Sequence, residues 1–189
     1  RSNLLDSLEN ELLGKCYKLE MDLLNVTDSI KGFKQLLKNM DGVDIVVISS
    51  GTGSIDLEFP ISDELETIAV NVTGFTAIAN TAYHYFLTRG KGHIVGISSV
   101  AAIRGGPIAA YNASKAYISS YLEGLACRLH SQNRNIYVTD IRPGFVDTAM
   151  AQGEGLFWVA PVDKAVRQII NVIKKKRNIA YVTKRWRIV

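Results

Sequence analysis

Apolar residues along this chain follow two rhythms, and the two alternate. Leu5, Leu8 and Leu12 recur at helical spacing and predict a short helix over 3–13. A second helix, capped by Thr27 or Asp28, would bury Ile30, Phe33, Leu37 and Met40 and stop at Gly42. Longer helical patterns cover 63–89, closed by Gly90, and 109–130, rich in small residues. Another covers 162–175, just after Pro161. Between them lie short apolar, β-branched runs at 44–50, 93–99, 136–142 and 179–183. Runs without a polar face are what strands buried on both sides require. Residues 16–22 read as one more strand, ending at Asp22.

Buried strands alternating with helices of ten or more residues predict an α/β fold. The expected architecture is a doubly wound parallel sheet in three α/β/α layers, one domain over 1–189. In such sheets ligands bind beyond the carboxyl ends of the strands. Gly51-Thr52-Gly53, Ser98-Ser99 and Pro143-Gly144 each follow a predicted strand, so all three should line one crevice.

Composition narrows function more than fold. Hydrophobic residues make up 47% and charged residues 21%, as in ordinary globular proteins, and no apolar run reaches the length that spans a bilayer. Cys16 and Cys127 match no metal or redox spacing and suit a reducing, cytoplasmic setting. His84, His93 and His130 are scattered, so no metal site is expected. The net charge is +4, and seven of the 22 basic residues fall between Lys174 and Arg187. That cluster is either a solvated helix end and edge strand, or a surface that meets membrane phospholipid or an acidic partner. No nucleic-acid motif accompanies it.

Tyr111 and Lys115 stand four apart on the predicted 109–130 helix, hence on one face. A free phenol, with a pKa near 10, is a poor base at neutral pH. A cation beside it favours the phenolate and brings it towards a working range. By itself the spacing is better explained by a solvent-facing pair. Ser99 closes a strand shortly before that helix, where its hydroxyl could reach a substrate carbonyl or alcohol. Gly96-Ile97-Ser98-Ser99-Val100 is no nucleophile elbow, which needs glycine where Val100 stands. Asn71, amid Val70-Asn71-Val72-Thr73-Gly74, is unfavourable inside a helix unless its amide or the local backbone has a task.

In chain order, Gly51-Thr52-Gly53 after Ser49-Ser50, Asn71-Val72-Thr73-Gly74, Gly96-Ile97-Ser98-Ser99, Tyr111-x-x-x-Lys115 and Arg142-Pro143-Gly144 resemble the short-chain dehydrogenase/reductase family. The similarity runs over about residues 1–176. It implies a Rossmann-like fold and hydride transfer between NAD(P)(H) and a carbonyl or secondary alcohol. It implies that Tyr111 is the general acid/base, and that Lys115 lowers the tyrosine pKa and holds the nicotinamide ribose. Ser99 would orient the carbonyl, and Asn71 would hold a water in a proton relay. The resemblance places Pro143 and Gly144 against the nicotinamide, with Val146 and Thr148 near its carboxamide. Ser50 and Gly51 fall at the adenosine ribose, Asp22 and Leu23 at the adenine. Arg1 falls where basic residues meet a 2′-phosphate, which favours NADP over NAD. Met150, Leu156, Phe157 and Trp158 fall in the family's lid. They imply a hydrophobic carbonyl substrate, or else pack on the core or on a partner subunit. Ala79, Ala82, Ala116, Ser120 and Gly124, on the two long helices, imply a homodimer or homotetramer, unless they only pack on the sheet.

The chain departs from the family in two places. Ser49-Ser50-Gly51-Thr52-Gly53 replaces the usual Asn-Asn-Ala-Gly. No glycine-rich dinucleotide turn occurs, and Arg1 aligns just after the family's second strand. The resemblance thus implies that the first βαβ portion lies outside this sequence, which would be a fragment of a longer polypeptide. Residues 16–22 and the edge of 44–50 would then lack neighbours. The competing reading is a catalytically silent Rossmann scaffold or nucleotide sensor of the same family. A sugar-nucleotide epimerase or dehydratase fits less well, because only a few dozen residues follow Gly144.

Overall fold

The computed structural model describes residues 2–54, 58–132, 135–148 and 155–188. In chain order it contains α1 (Ser2–Glu11), α2 (Val26–Asn39), β1 (Ile45–Ile48), α3 (Ile61–Ile68), α4 (Phe75–Arg89), β2 (Lys91–Ile97), α5 (Ala109–His130), β3 (Asn135–Pro143), α6 (Val162–Lys174) and β4 (Ile179–Val182). The strands form one parallel sheet in the order β1-β2-β3-β4. Val46 stands opposite Ile94, Ile94 opposite Val138, and Ile141 opposite Ala180.

Successive strand residues point to opposite faces, so each strand feeds two cores. Val46, Ile48, Ile94, Ile136 and Val138 meet Phe33 and Leu37 of α2, Phe75, Ala79 and Phe86 of α4, and Ile118 and Leu122 of α5. On the other face Val95, Ile141, Ala180 and Val182 pack with Ala165, Ile169 and Ile173 of α6. The doubly wound, three-layer α/β/α arrangement follows from this division. Gly96 lets the sheet and helices close up, since a Cβ there would run into Leu122 of α5 and press on Phe75 of α4.

Three local expectations need correction. Residues 16–22 form no strand among the described residues. A strand is stabilised only by pairing, and this segment instead lies over α2, with the Leu19 side chain where a Cβ on Gly32 would point. β1 is correspondingly an edge, its Ile45 and Val47 47% and 49% exposed. The second helix is capped by Asn25, whose side chain accepts a hydrogen bond from the Asp28 N–H at 3.2 Å. The expected 63–89 helix is broken in register, because α3 passes into α4 through a π turn, Ala69–Gly74.

Candidate active site

The π turn is where the site begins. Its extra residue per turn places Asn71 fully buried and facing the loop after β1. The Asn71 Oδ1 accepts the Thr52 N–H at 2.8 Å, and its Nδ2 donates to the Thr52 carbonyl at 2.7 Å and to Ser114 Oγ at 2.9 Å. One side chain thus pins the Gly51-Thr52-Gly53 loop and ties it to α5. Both amide hydrogens are engaged, so the side chain has no donor left for a water.

The loop it holds is close against Tyr111 and Lys115. A Cβ on Gly51 would stand 3.1 Å from Lys115 Nζ, and one on Gly53 would meet the Tyr111 ring at 2.6 Å. Lys115 is buried, donates to the Ile97 carbonyl at 3.1 Å and lies 5.6 Å from the centroid of the Tyr111 ring. Burial pulls its ammonium down to about 8, partly opposed by the Asp140 carboxylate. Burial also pushes the Tyr111 phenol up, against a hydrogen bond with Ser99 that favours the phenolate. The lowering expected from Lys115 is thus opposed by desolvation of the phenol.

Two contacts place α5. Glu64 of α3 accepts the Ala110 N–H at 3.0 Å, so a carboxylate caps a helix whose own N-terminal residue offers no side-chain cap. Asn112 donates to the carbonyls of Ala101 and Arg104, both at 3.1 Å, and so fixes the 3-10 turn that follows Ser99. Ser99 accepts the Ala101 N–H at 3.1 Å and reaches the Pro143 carbonyl at 3.4 Å. Asn71, Ser99, Tyr111 and Lys115 therefore share one site with the Gly51-Thr52-Gly53 loop and the end of β3.

Beyond β3, Gly144 donates to the Val182 carbonyl at 2.6 Å, and a Cβ there would overlap the Trp186 indole. Trp186, from the 3-10 turn Lys184–Ile188, is buried among Phe145, Phe157 and Trp158 at centroid distances of 5.5, 5.1 and 5.4 Å. The sequence reading singled out Phe157 and Trp158 but missed Trp186, their common partner, because it lies in a run of cations that reads as surface. Leu156 lies in the described segment beside this cluster, whereas Met150 lies outside the described residues.

The sequence pattern described as short chain dehydrogenase matches residues 1–156. The chain belongs to this family. It is 33% identical over 135 residues to an uncharacterized oxidoreductase of Myxococcus xanthus, covering 70% of this chain and 53% of that one. It is 30% identical over 149 residues to a 3-oxoacyl-(acyl-carrier-protein) reductase of Aquifex aeolicus, covering 77% and 59%. The chain thus spans little more than half the length of these curated relatives. A short chain dehydrogenase/reductase from Burkholderia phymatum in complex with NAD superposes with a TM-score of 0.80 at 17% identity, over 95% of this chain and 75% of that one. An alcohol dehydrogenase from Thermococcus sibiricus complexed with 5-hydroxy-NADP gives 0.80 at 18%, over 95% and 80%.

The remaining positions carried over from the short chain dehydrogenase family fit unevenly. The nicotinamide-ribose side fits a dinucleotide, since a buried ammonium faces a glycine that leaves room beside it. Ser50 is exposed just past β1. Asp22 is exposed and accepts the Leu24 N–H at 3.0 Å, forming the turn into α2, while Leu23 packs against Gly74 of the π turn. Val146 pairs with Ala160 in an isolated bridge, and Thr148 is exposed and donates to the Val146 carbonyl at 3.3 Å. Arg1 lies outside the described residues. Among the described residues no group of His, Cys, Asp and Glu could hold a metal ion, and no helix is long and apolar enough to cross a membrane.

Proposed function

We propose that this protein is an NAD(P)-dependent oxidoreductase that interconverts a carbonyl compound and the corresponding alcohol. The observation that carries the reading is the constellation of half-buried Tyr111 with buried Lys115 and Ser99 at the carboxyl end of β2. When bound, NAD(P)(H) supplies or accepts the hydride. In the reductive direction Tyr111, held protonated by burial, donates its proton to the substrate oxygen. Ser99 turns its hydroxyl from the Pro143 carbonyl towards the same oxygen and stabilises the charge that develops there. The phenolate left behind is stabilised by the Lys115 ammonium, which would also hold the nicotinamide ribose when the cofactor is bound. Asn71 holds the loop beside Lys115, so a relay water near it would rest on the π-turn backbone rather than on the amide.

NADP is favoured over NAD on the strength of Arg1. The apolar cluster of Phe145, Phe157 and Trp158 favours a hydrophobic carbonyl substrate, and Phe157 is 52% exposed beside it. Ala79 and Ala82 pack on the sheet, whereas Ala116, Ser120 and Gly124 lie exposed along α5, which suits a homodimer or homotetramer of a cytoplasmic enzyme. The test is NAD(P)H oxidation with a panel of apolar ketones and aldehydes. Tyr111→Phe should lower kcat/KM by about a hundredfold or more while leaving nucleotide affinity near wild type. Tight nucleotide binding with no turnover of any carbonyl by the wild type would favour the silent sensor instead.

A further inference from the structure

A carboxylate inside β3 is unaccounted for by the reaction just described. Asp140 is 2% exposed in the middle of β3, and an isolated charge buried so deeply is expensive. Its partners come from three directions. Oδ1 accepts a short hydrogen bond from Ser98, at the end of β2. Oδ2 accepts Ser119 Oγ of α5 at 2.7 Å and Arg142 Nε at 2.7 Å. Ser98 immediately precedes Ser99, and Ser119 lies one helical turn beyond Lys115.

We propose that Asp140 is a positioning residue for the Tyr111–Lys115–Ser99 centre, clamping the end of β2 to α5 and supplying the counter-charge for the buried Lys115 ammonium. The proposal rests on the oxidoreductase reading. The charged and titratable groups around Lys115 are Tyr111 on its own helix and Asp140 from β3, with Arg142 sharing that carboxylate and held in turn by the Tyr181 hydroxyl at 3.1 Å. Without Asp140, burial acts on the ammonium unopposed. Lys115 then loses its proton more readily near neutral pH and no longer stabilises a phenolate.

The network allows charge and clamp to be separated. In Asp140→Asn the oxygen can keep Ser119 and Arg142, while the amide nitrogen faces Ser98 Oγ, whose own hydrogen can turn to the Ile141 carbonyl 3.2 Å away. The hydrogen-bond pattern survives and only the charge is lost. The readout is the titration midpoint of Lys115, followed by NMR of lysine carbons labelled at Cε, together with kcat and KM across pH.

Asp140→Asn should move the Lys115 midpoint down by about one unit, with the pH profile of kcat following it. Arg142→Gln, which removes the competing cation, should move it up, and serves if Asp140→Asn does not fold. Ser98→Ala and Ser119→Ala should leave the midpoint in place and lower kcat by about tenfold with little change in KM. An unmoved midpoint in both charge variants would overturn the counter-charge, and wild-type kcat in both serine variants would overturn the clamp. Because the midpoint is read without turnover, a protein that reduces no carbonyl would sink the oxidoreductase reading and leave this titration intact.

Discussion

The two faces of the sheet differ in how completely they are closed. Under α2, α4 and α5 the strands meet a continuous core in which Ile94, Phe75, Phe86 and Ile118 are sealed from water. Under α6 the buried set is smaller, and it fades towards β1, where Ile45 and Val47 stand half exposed. Asn71 between α3 and α4, Glu64 on α3, and Ser114 and Ser119 on α5, which help to place Ser99, Tyr111 and Lys115, hang from the closed face. A site that needs groups fixed to a fraction of an ångström is thereby anchored to the part of the molecule that yields least.

Adjacent residues of β2 put the contrast to the test. Ile94→Ala should cost about 4 kcal/mol by chemical denaturation, and Val95→Ala, one residue on but facing α6, about 2 kcal/mol. Equal losses would mean that the α6 face is as tightly closed as the other. The next largest effect is on pH. His93, on the α6 face, is buried against Thr139 and has its pKa pulled down to about 4, chiefly by burial and then by the Lys176 ammonium. Its lowered pKa means the unfolded chain takes up that proton first. The stability it allows at neutral pH should therefore fall by about 3 kcal/mol between pH 6.5 and 4. Urea unfolding across that range checks the fall, and His93→Gln should flatten it. The smallest effect belongs to the edge, where Val47→Thr should change stability by less than about 0.5 kcal/mol. A larger loss would show that something covers β1 in solution.

Much of this was readable from the residues because burial leaves a compositional mark. The four strands announce themselves as apolar β-branched runs, and α5 matches its expected bounds because Gly106-Pro107 and the polar Ser131-Gln132 bracket it. The order of Ser99, Tyr111 and Lys115 in the chain pointed to a shared site, and the structure brings the three together. What escaped notice leaves no such mark. A shift in helical hydrogen-bond register changes no residue type, so the π turn showed only as the awkwardness of Asn71. Residues 16–22 have the composition of a strand, but pairing depends on what lies alongside. The raised tyrosine could not be foreseen either, because desolvation is settled by depth, which spacing does not reveal. Asp140 stood in plain view as a charge within Val138-Thr139-Asp140-Ile141, and nothing near it in sequence named Ser98 or Ser119 as its partners.

The widened turn at Ala69–Gly74 also governs which lengths of chain this region can tolerate. It lets the segment before it and the segment after it keep separate rotational phases, one aiming Glu64 at the start of α5 and the other aiming Phe75 at the sheet. Ordinary α-winding over the same number of residues would add about one residue's rotation, about 100°, between everything upstream and everything downstream. The way this stretch winds, not its residue types, therefore sets where Glu64 and Phe75 point relative to one another.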